Sequence, residues 1–435
     1  MTGNRFLLLV ALLVTLLSTR PVIAAEADTL PAGTVITMQN WQQYKNFLPD
    51  GMQKFFAGDY YWKFPADIQI VIGPTSNYQV NKTYVENTEK YANQVKIVDL
   101  PDGQHTLKGY VAGRPFPNPS GTRKGWEILV DIWYRCVPYL TCTTDSIPAF
   151  LTDRFGHRTV ESVKSSYRRM GHISEPGMPI YLADGQGIDF SEWIRVIAPE
   201  QTKYLTNLTL YYLDPAKPED IFLFIPALRR SLRLSTAARC SPFIGTDLTQ
   251  DDPRSGWNGG ITRFDATFLR DQKIISMVNA NPKALGTLAN YYPVLFFPTP
   301  KVGKWEVRDT WVIDVRRIPQ QRNGYCYGKQ IIWVDKISGN ALWKDMYDAN
   351  LKYWKSDMIE HIASPVPGQD LQYETTNFWQ GTYDMQNDHY TVALSADPAG
   401  QWSVANEDCK NAGGIDYFDN VKQYNTVAGL AQVMR

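Results

Sequence analysis

The sequence predicts a mainly β protein with flanking helices. From Trp126 onward the chain is dominated by runs of β-branched and aromatic residues, several of them alternating with period two. Turn-forming clusters separate these runs, most clearly Asp214-Pro-Ala-Lys-Pro-Glu219. Consecutive strands joined by tight turns imply an antiparallel meander rather than βαβ units.

The first residues read as an export segment. A charged start, Met1-Thr-Gly-Asn-Arg5, precedes an apolar run from Phe6 to Leu17, and Pro21-Val-Ile-Ala24-Ala25 supplies a small-residue exit. The run is shorter than the roughly 17–25 residues of a spanning helix. Cleavage near Ala24/Ala25 and a periplasmic location are therefore expected, rather than an N-terminal anchor. No other apolar stretch is long enough to cross a bilayer, so a soluble mature chain without a transmembrane span is expected. The expected organisation is a signal peptide over residues 1–25 and one β domain over 26–435, irregular and helical to about residue 120. Such a chain can bury a large core. Its 44 basic and 44 acidic residues give no electrostatic case for binding nucleic acid or an acidic lipid surface. Its 13 Trp and 25 Tyr either pack within a large sheet or line a cavity.

Taken in order, residues 26–40 look extended, and Asn40 is placed to cap a short helix with Trp41, Tyr44 and Phe47 on one face. Asn81–Lys96 reads as an amphipathic helix through Tyr84, Val85, Thr88, Tyr91, Ala92 and Val95. Trp126–Tyr134 reads as a strand. Lys203–Leu213 and Asp220–Leu234 form the clearest hairpin, with Pro226 marking an edge or a bulge. In Trp305–Val315, residues Trp305, Val307, Trp311, Ile313 and Val315 share one face opposite Glu306, Arg308, Thr310, Asp314 and Arg316, the pattern of a half-buried strand. Gln330–Val334 and Ala341–Tyr347 continue it. Asp348-Ala-Asn350 turns into Leu351–Trp354, and Leu371–Phe378 with His389–Leu394 makes a further pair.

Catalytic signatures are missing from the sequence. It has no Gly-x-Ser-x-Gly elbow, no His-Glu-x-x-His and no phosphate loop, and its five His are scattered. No catalytic residue, cofactor or metal is expected. The cysteines, Cys136, Cys142, Cys240, Cys326 and Cys409, lack zinc spacing. A loop disulfide between Cys136 and Cys142 is expected, with the pairing of the other three left open. Asp247, Asp251 and Asp252 either hold a hard cation or make turn caps and pairs with Arg229 and Arg230. Arg229 and Arg233 would share a strand face, as a receptor for an anionic headgroup or as a solvated strand end.

Four stretches, in this order, resemble the bacterial family known as domain of unknown function 1329. They are Leu30–Thr37 leading to Asn40-Trp-Gln-Gln-Tyr-Lys45 and Leu48–Met52; Gly113-Arg-Pro-Phe-Pro-Asn-Pro119 before Gly125-Trp126; Pro226–Arg230 through Gly245-Thr-Asp247 to Asp251-Asp252; and Trp305–Arg308, Ile332–Asp335 and Asp345–Asp348 up to Trp354-Lys355. The sequence departs from the family pattern at residues 131–175, where Cys136, Cys142 and the basic run Ser165–Arg169 stand. The resemblance implies a curved antiparallel half-barrel sheet like that of the lipoprotein carriers LolA and LolB, with a concave apolar face. It further implies a non-enzymatic carrier of a lipid or other hydrophobic molecule, working with an RND-type exporter or an outer-membrane partner. On that reading Trp126, Trp133, Tyr211, Phe222, Phe224, Trp305, Trp311 and Trp333 supply the wall or floor, and Arg229 meets a headgroup. The alternatives are an adaptor subunit of an envelope complex and an enzyme of unrecognised type.

Overall fold

Strand after strand pairs with its neighbour in sequence, and the result is one large, curved antiparallel sheet. The computed structural model describes residues 29–137, 140–175, 177–235, 239–254, 256–364, 371–394, 408–410 and 426–430. The export segment expected at residues 1–25 lies outside them.

The N-terminal part is short-stranded and helical. Strand β1 (Val35–Ile36) pairs with β2 (Ile70–Val71), β3 (Tyr78–Gln79) follows, and β4 (Lys96–Asp99) pairs with β5 (His105–Lys108). Helices α1 (Asp50–Ala57), α2 (Lys82–Tyr91) and α3 (Lys124–Trp133) complete it. A first meander then runs through β6 (Thr141–Asp153), β7 (Arg158–Arg169), β8 (Ile188–Ala198), β9 (Thr206–Tyr212), β10 (Asp220–Ile225) and β11 (Arg230–Leu234). A second runs through β12 (Phe264–Ser276), β13 (Glu306–Arg317), β14 (Lys329–Asp335), β15 (Ala341–Tyr347), β16 (Tyr353–Ser364), β17 (Leu371–Asp384) and β18 (His389–Leu394). Pairing of β18 with β6 joins the two meanders, in the order 11-10-9-8-7-6-18-17-16-15-14-13-12. Strand β3 adds to β17, and β19 (Asp408–Lys410) adds to β6. The path does not close; β11 and β12 are its two ends.

This order has a direct consequence. Strands β11 and β12 are consecutive in sequence yet stand at opposite ends of the path. The described residues between them run over the sheet, where Asp247 N donates to Thr391 Oγ1 of β18 at 3.0 Å, and include the 3-10 turn Phe243–Gly245. Curvature brings the two ends of the path toward each other: Arg263, just before β12, pairs with Glu219, just before β10, at 2.9 Å.

Both faces of the sheet carry apolar cores. On one face the N-terminal residues Phe55, Phe56 and Phe64 pack with Trp333, Trp343, Trp379 and Tyr390. On the other, α3 and Trp257, Ile261 and Phe264 pack on Ile313, Val315, Ile332, Val334 and Ile359. Alternate residues of β13 and β14 divide between the two, as strand geometry requires.

Several expected elements are corrected. Trp126–Tyr134 is helical, not a strand: it forms most of α3, whose residues from Gly125 to Trp133 are all buried except Glu127. Its β-branched and aromatic composition reflects burial on all sides, which a short apolar run does not distinguish from a strand. Gly125 makes that burial possible, since a Cβ there would stand 2.5 Å from Phe268 N and 2.6 Å from Thr267 C of β12. Asp220–Leu234 is two strands, not one. A 3-10 turn at Pro226–Leu228 splits it into β10 and β11, because Pro lacks the ladder N–H. Strand β13 is covered on both faces, and its buried parity switches between Val312 and Ile313. Asn40 makes no capping bond; its Oδ1 accepts from Thr37 N at 2.7 Å, and Trp41–Phe47 is a 3-10 helix. Helix α2 falls within its expected span, capped by Asn81 Oδ1, which accepts from Thr83 N at 2.8 Å.

Candidate ligand cavity

Where residues 243–258 pass over the first meander they do not seat fully on it, and a cavity of about 230 Å³ remains. Its floor is one continuous face of neighbouring strands. Ile147 and Ala149 of β6 stand opposite Val163 and Glu161 of β7; Ser165 stands opposite Ile194 of β8; Glu192 and Ile194 stand opposite Thr209 and Asn207 of β9. Ala393 of β18 extends the floor beside Ala149. Phe243, Ile244, Leu248 and Pro253 form the roof. A second space of about 350 Å³, more polar, lies between Trp133, Tyr211, the 215–219 turn and Gly260–Arg263.

The roof is tied down by its own charged residues. Arg239 is buried and pairs with Glu219 and Asp251. Burial raises the Glu219 carboxyl, but Arg239 and Arg263 beside it prevail and hold it down at about 2. Asp252 accepts from Lys344 Nζ at 2.5 Å, Tyr327 Oη at 2.7 Å and Thr249 Oγ1 at 2.9 Å. Burial alone would raise Asp252; Lys344 and Lys355 outweigh it and keep the carboxyl below its ordinary range. Asp247 pairs with His389, and its Oδ2 accepts from Thr391 Oγ1 at 2.7 Å. The Asp247 hydrogen bond raises the His389 imidazole, so it holds its proton further into the neutral range. Lys355 Nζ donates to the Asp247 carbonyl at 2.6 Å.

Asp247, Asp251 and Asp252 thus go to three separate partners and do not converge on one cation. Nor do they pair with Arg229 and Arg230; the arginine that meets one of them, Asp251, is Arg239. A different group, Asp247, Asp384 and His389, brings ligand atoms within 4.8 Å of one another. Asp384 there already accepts from Trp354 Nε1 at 2.8 Å, Gln386 N at 2.9 Å and Asn387 N at 2.8 Å. Four of the five histidines contact an aspartate: His105 with Asp99, His157 with Asp153, His172 with Asp189 and His389 with Asp247.

The residues expected to form a wall are dispersed. Trp133 and Tyr211 meet, 5.6 Å apart, at the second space. Phe222 and Phe224 stand opposite Leu208 and Thr206, on the face turned away from Asn207 and Thr209, where Phe224 packs with Trp193 and Leu208. Trp126 is buried under the crossing segment, its Nε1 donating to Ile261 O at 3.2 Å. Trp305 stacks on Phe297 at 5.4 Å, and Trp333 is buried with its Nε1 donating to Gln272 Oε1 at 2.8 Å. Trp311 is partly buried against the α3 core. Arg229 is exposed in a left-handed turn (φ 49°) between β10 and β11, so it shares no strand face with Arg233. Arg233 pairs with Asp220. Sequence reading missed Val163, Ile194, Phe243, Ile244 and Arg254 of the first cavity. The floor strand β7, Arg-Thr-Val-Glu-Ser-Val-Lys-Ser-Ser-Tyr-Arg-Arg, is too polar to announce itself, and the roof residues have no regular period.

The expected Cys136–Cys142 bridge is not formed. Cys136 is a buried free thiol whose pKa burial pushes up to about 12. The Cys142 backbone lies in β6, in register with Cys409 of β19. The disulfide among the described residues joins Cys240 to Cys326, anchoring the crossing segment ahead of β14.

Curated protein sequences give no match. A domain assigned to outer membrane lipoprotein sorting from Vibrio parahaemolyticus is similar in structure at 14% identity and TM-score 0.44, covering 68% of this chain and 97% of that one. A DUF1329 family protein from Desulfovibrio piger shares 15% identity at TM-score 0.43, covering 63% and 91%. A LolA superfamily protein from Nitrosomonas europaea shares 12% identity at TM-score 0.37, covering 63% and 91%. The family described as "Protein of unknown function (DUF1329)" matches residues 35–423, most of the chain, and the protein belongs to that family.

Proposed function

We propose that this protein is a periplasmic carrier or binding protein for a lipid or other hydrophobic molecule, delivering to or receiving from an RND-type exporter or an outer-membrane partner. The observation that carries the reading is the cavity between the β6–β9 floor and the crossing segment. Ile147, Val163, Ile194, Phe243, Ile244 and Leu248 give it a mostly apolar lining. Enclosing roughly 200 Å² of apolar ligand surface would return ~5 kcal/mol before association costs. That suffices for a reversible carrier, which must also release its cargo. Trp133 and Tyr211 would form the adjoining wall; Trp126, Trp305, Trp311 and Trp333 would stiffen the sheet that shapes the site. Among the described residues no helix is long and apolar enough to cross a membrane.

The test is gentle purification of the exported protein, solvent extraction and mass spectrometry of what it holds. A stoichiometric amphiphile, lost on Val163→Trp or Ile194→Trp substitution, is the expected result. A protein that yields no ligand, binds no apolar fluorescent probe and co-purifies with envelope subunits would favour the adaptor reading instead.

A further inference from the structure

One wall residue of the apolar cavity is a cation with unmet demand. Arg254 is partly buried, and its Nη2 donates to Trp133 O at 3.0 Å. Its Nε and Nη1 are sealed from solvent without a hydrogen-bond partner, and it forms no ion pair among the described residues. Instead the guanidinium lies over two rings, 4.1 Å from the Phe190 centroid and 4.5 Å from that of Trp133. Buried donors without acceptors are rare and costly. The backbone of Arg254 is also held left-handed (φ 62°), a conformation most side chains avoid and one that concentrates at functional positions.

The acids near this end of the cavity are shared. Arg135, Arg169 and Arg254 all act on Glu192. Asp189 is already shared by Arg169 and His172. The two wall carboxyls, Glu192 and Glu161, are both pushed upward by burial, which resists the negative charge that could neutralise Arg254.

We infer that the cavity takes a single-chain amphiphile with an anionic head, a carboxylate or a phosphate, whose head completes the hydrogen bonding of Arg254 while the chain lies along Val163, Ile194 and Ile244. This rests on the carrier reading above and specifies its cargo. The cavity of about 230 Å³ is smaller than the roughly 300–1,000 Å³ of drug-sized ligand pockets, which favours a single chain over a multi-chain lipid, and a medium-length chain would leave its head at the charged end.

The experiment titrates the delipidated full-length mature protein with decanoate, decyl phosphate, decanol and decyltrimethylammonium, by calorimetry or by displacement of an apolar fluorophore. The expected result is that one or both anions bind at least tenfold more tightly than decanol, and the cation most weakly. The two anionic arms distinguish the carboxylate from the phosphate head. Arg254→Met should cost the anions tenfold or more and leave decanol within threefold, while Arg254→Lys retains part of the preference. Decanol binding as tightly as both anions, with Arg254→Met without effect, overturns the anionic head and leaves the carrier reading standing. Failure of all four probes overturns both. If Arg254→Met does not fold, the wild-type ranking of the four probes decides alone.

Discussion

Removing the Cys240–Cys326 disulfide, by Cys240→Ala with Cys326→Ala, should destabilise the protein through its unfolded state. The bridge closes a loop with a sequence separation of 86. Loop-closure entropy for that length is ~15 cal/mol/K, or ~4.6 kcal/mol at 25 °C. Unfolding entropy of ~2.1 cal/mol/K per residue over a chain of 435 residues sums to about 0.9 kcal/mol/K. The melting temperature should therefore fall by about 5 °C. The native fold should survive, because Arg239, Asp251 and Asp252 hold the crossing segment independently of the sulfurs. Differential scanning calorimetry of the wild type, with and without reductant, and of the double variant provides the assay. A shift under 1 °C, or loss of native near-UV circular dichroism in the variant, would refute the reasoning. The first would mean that the loop is already constrained when unfolded, the second that the bridge shapes the native segment itself.

Three further outcomes can be checked. Gly51→Ala should cost ~1–3 kcal/mol in urea titration, because a Cβ at that position of α1 collides with the buried Asp345 carboxylate and Ser356 hydroxyl. Burial pushes the Asp345 carboxyl up to about 7, although Ser356, Trp343 and the Gly51 N–H all donate to it. Its protonated form is therefore favoured by folding, and its contribution is full below pH 4 and declines as pH rises toward 7. Asp345→Asn should flatten the stability profile relative to wild type across that window; parallel profiles would contradict this. Cys136, buried with its thiol pushed up to about 12, should resist iodoacetamide in the native protein at pH 8 and react on denaturation, as peptide mapping would show.

How legible this was in the sequence differs by element. Strands β14 and β15 fell close to where alternation placed them, and the turn at 214–219 joins β9 to β10 as its Pro-rich composition required. Helix α3 was misread because burial on every side erases the period by which a helix is recognised. The candidate site was less visible still. Its floor comes in part from polar-looking β7, and its roof from a segment whose position follows from strand order, which no local pattern encodes. Aromatic content pointed to Trp126, Trp305 and Trp333, which are core. Arg254 carried no local signal, since an unpaired guanidinium is recognisable only once its neighbours are known.

The unclosed ends of the sheet also bear on how the protein avoids its own copies. An exposed outermost strand offers a row of free backbone groups onto which another chain can be added, the first step toward fibrils. Strand β11 is five residues long, Arg-Ser-Leu-Arg-Leu, and its two arginines are exposed. A short border carrying like charges repels an identical border brought alongside it. Replacing Arg230 and Arg233 with threonine would lift that repulsion, and light scattering of concentrated samples would register the resulting self-association.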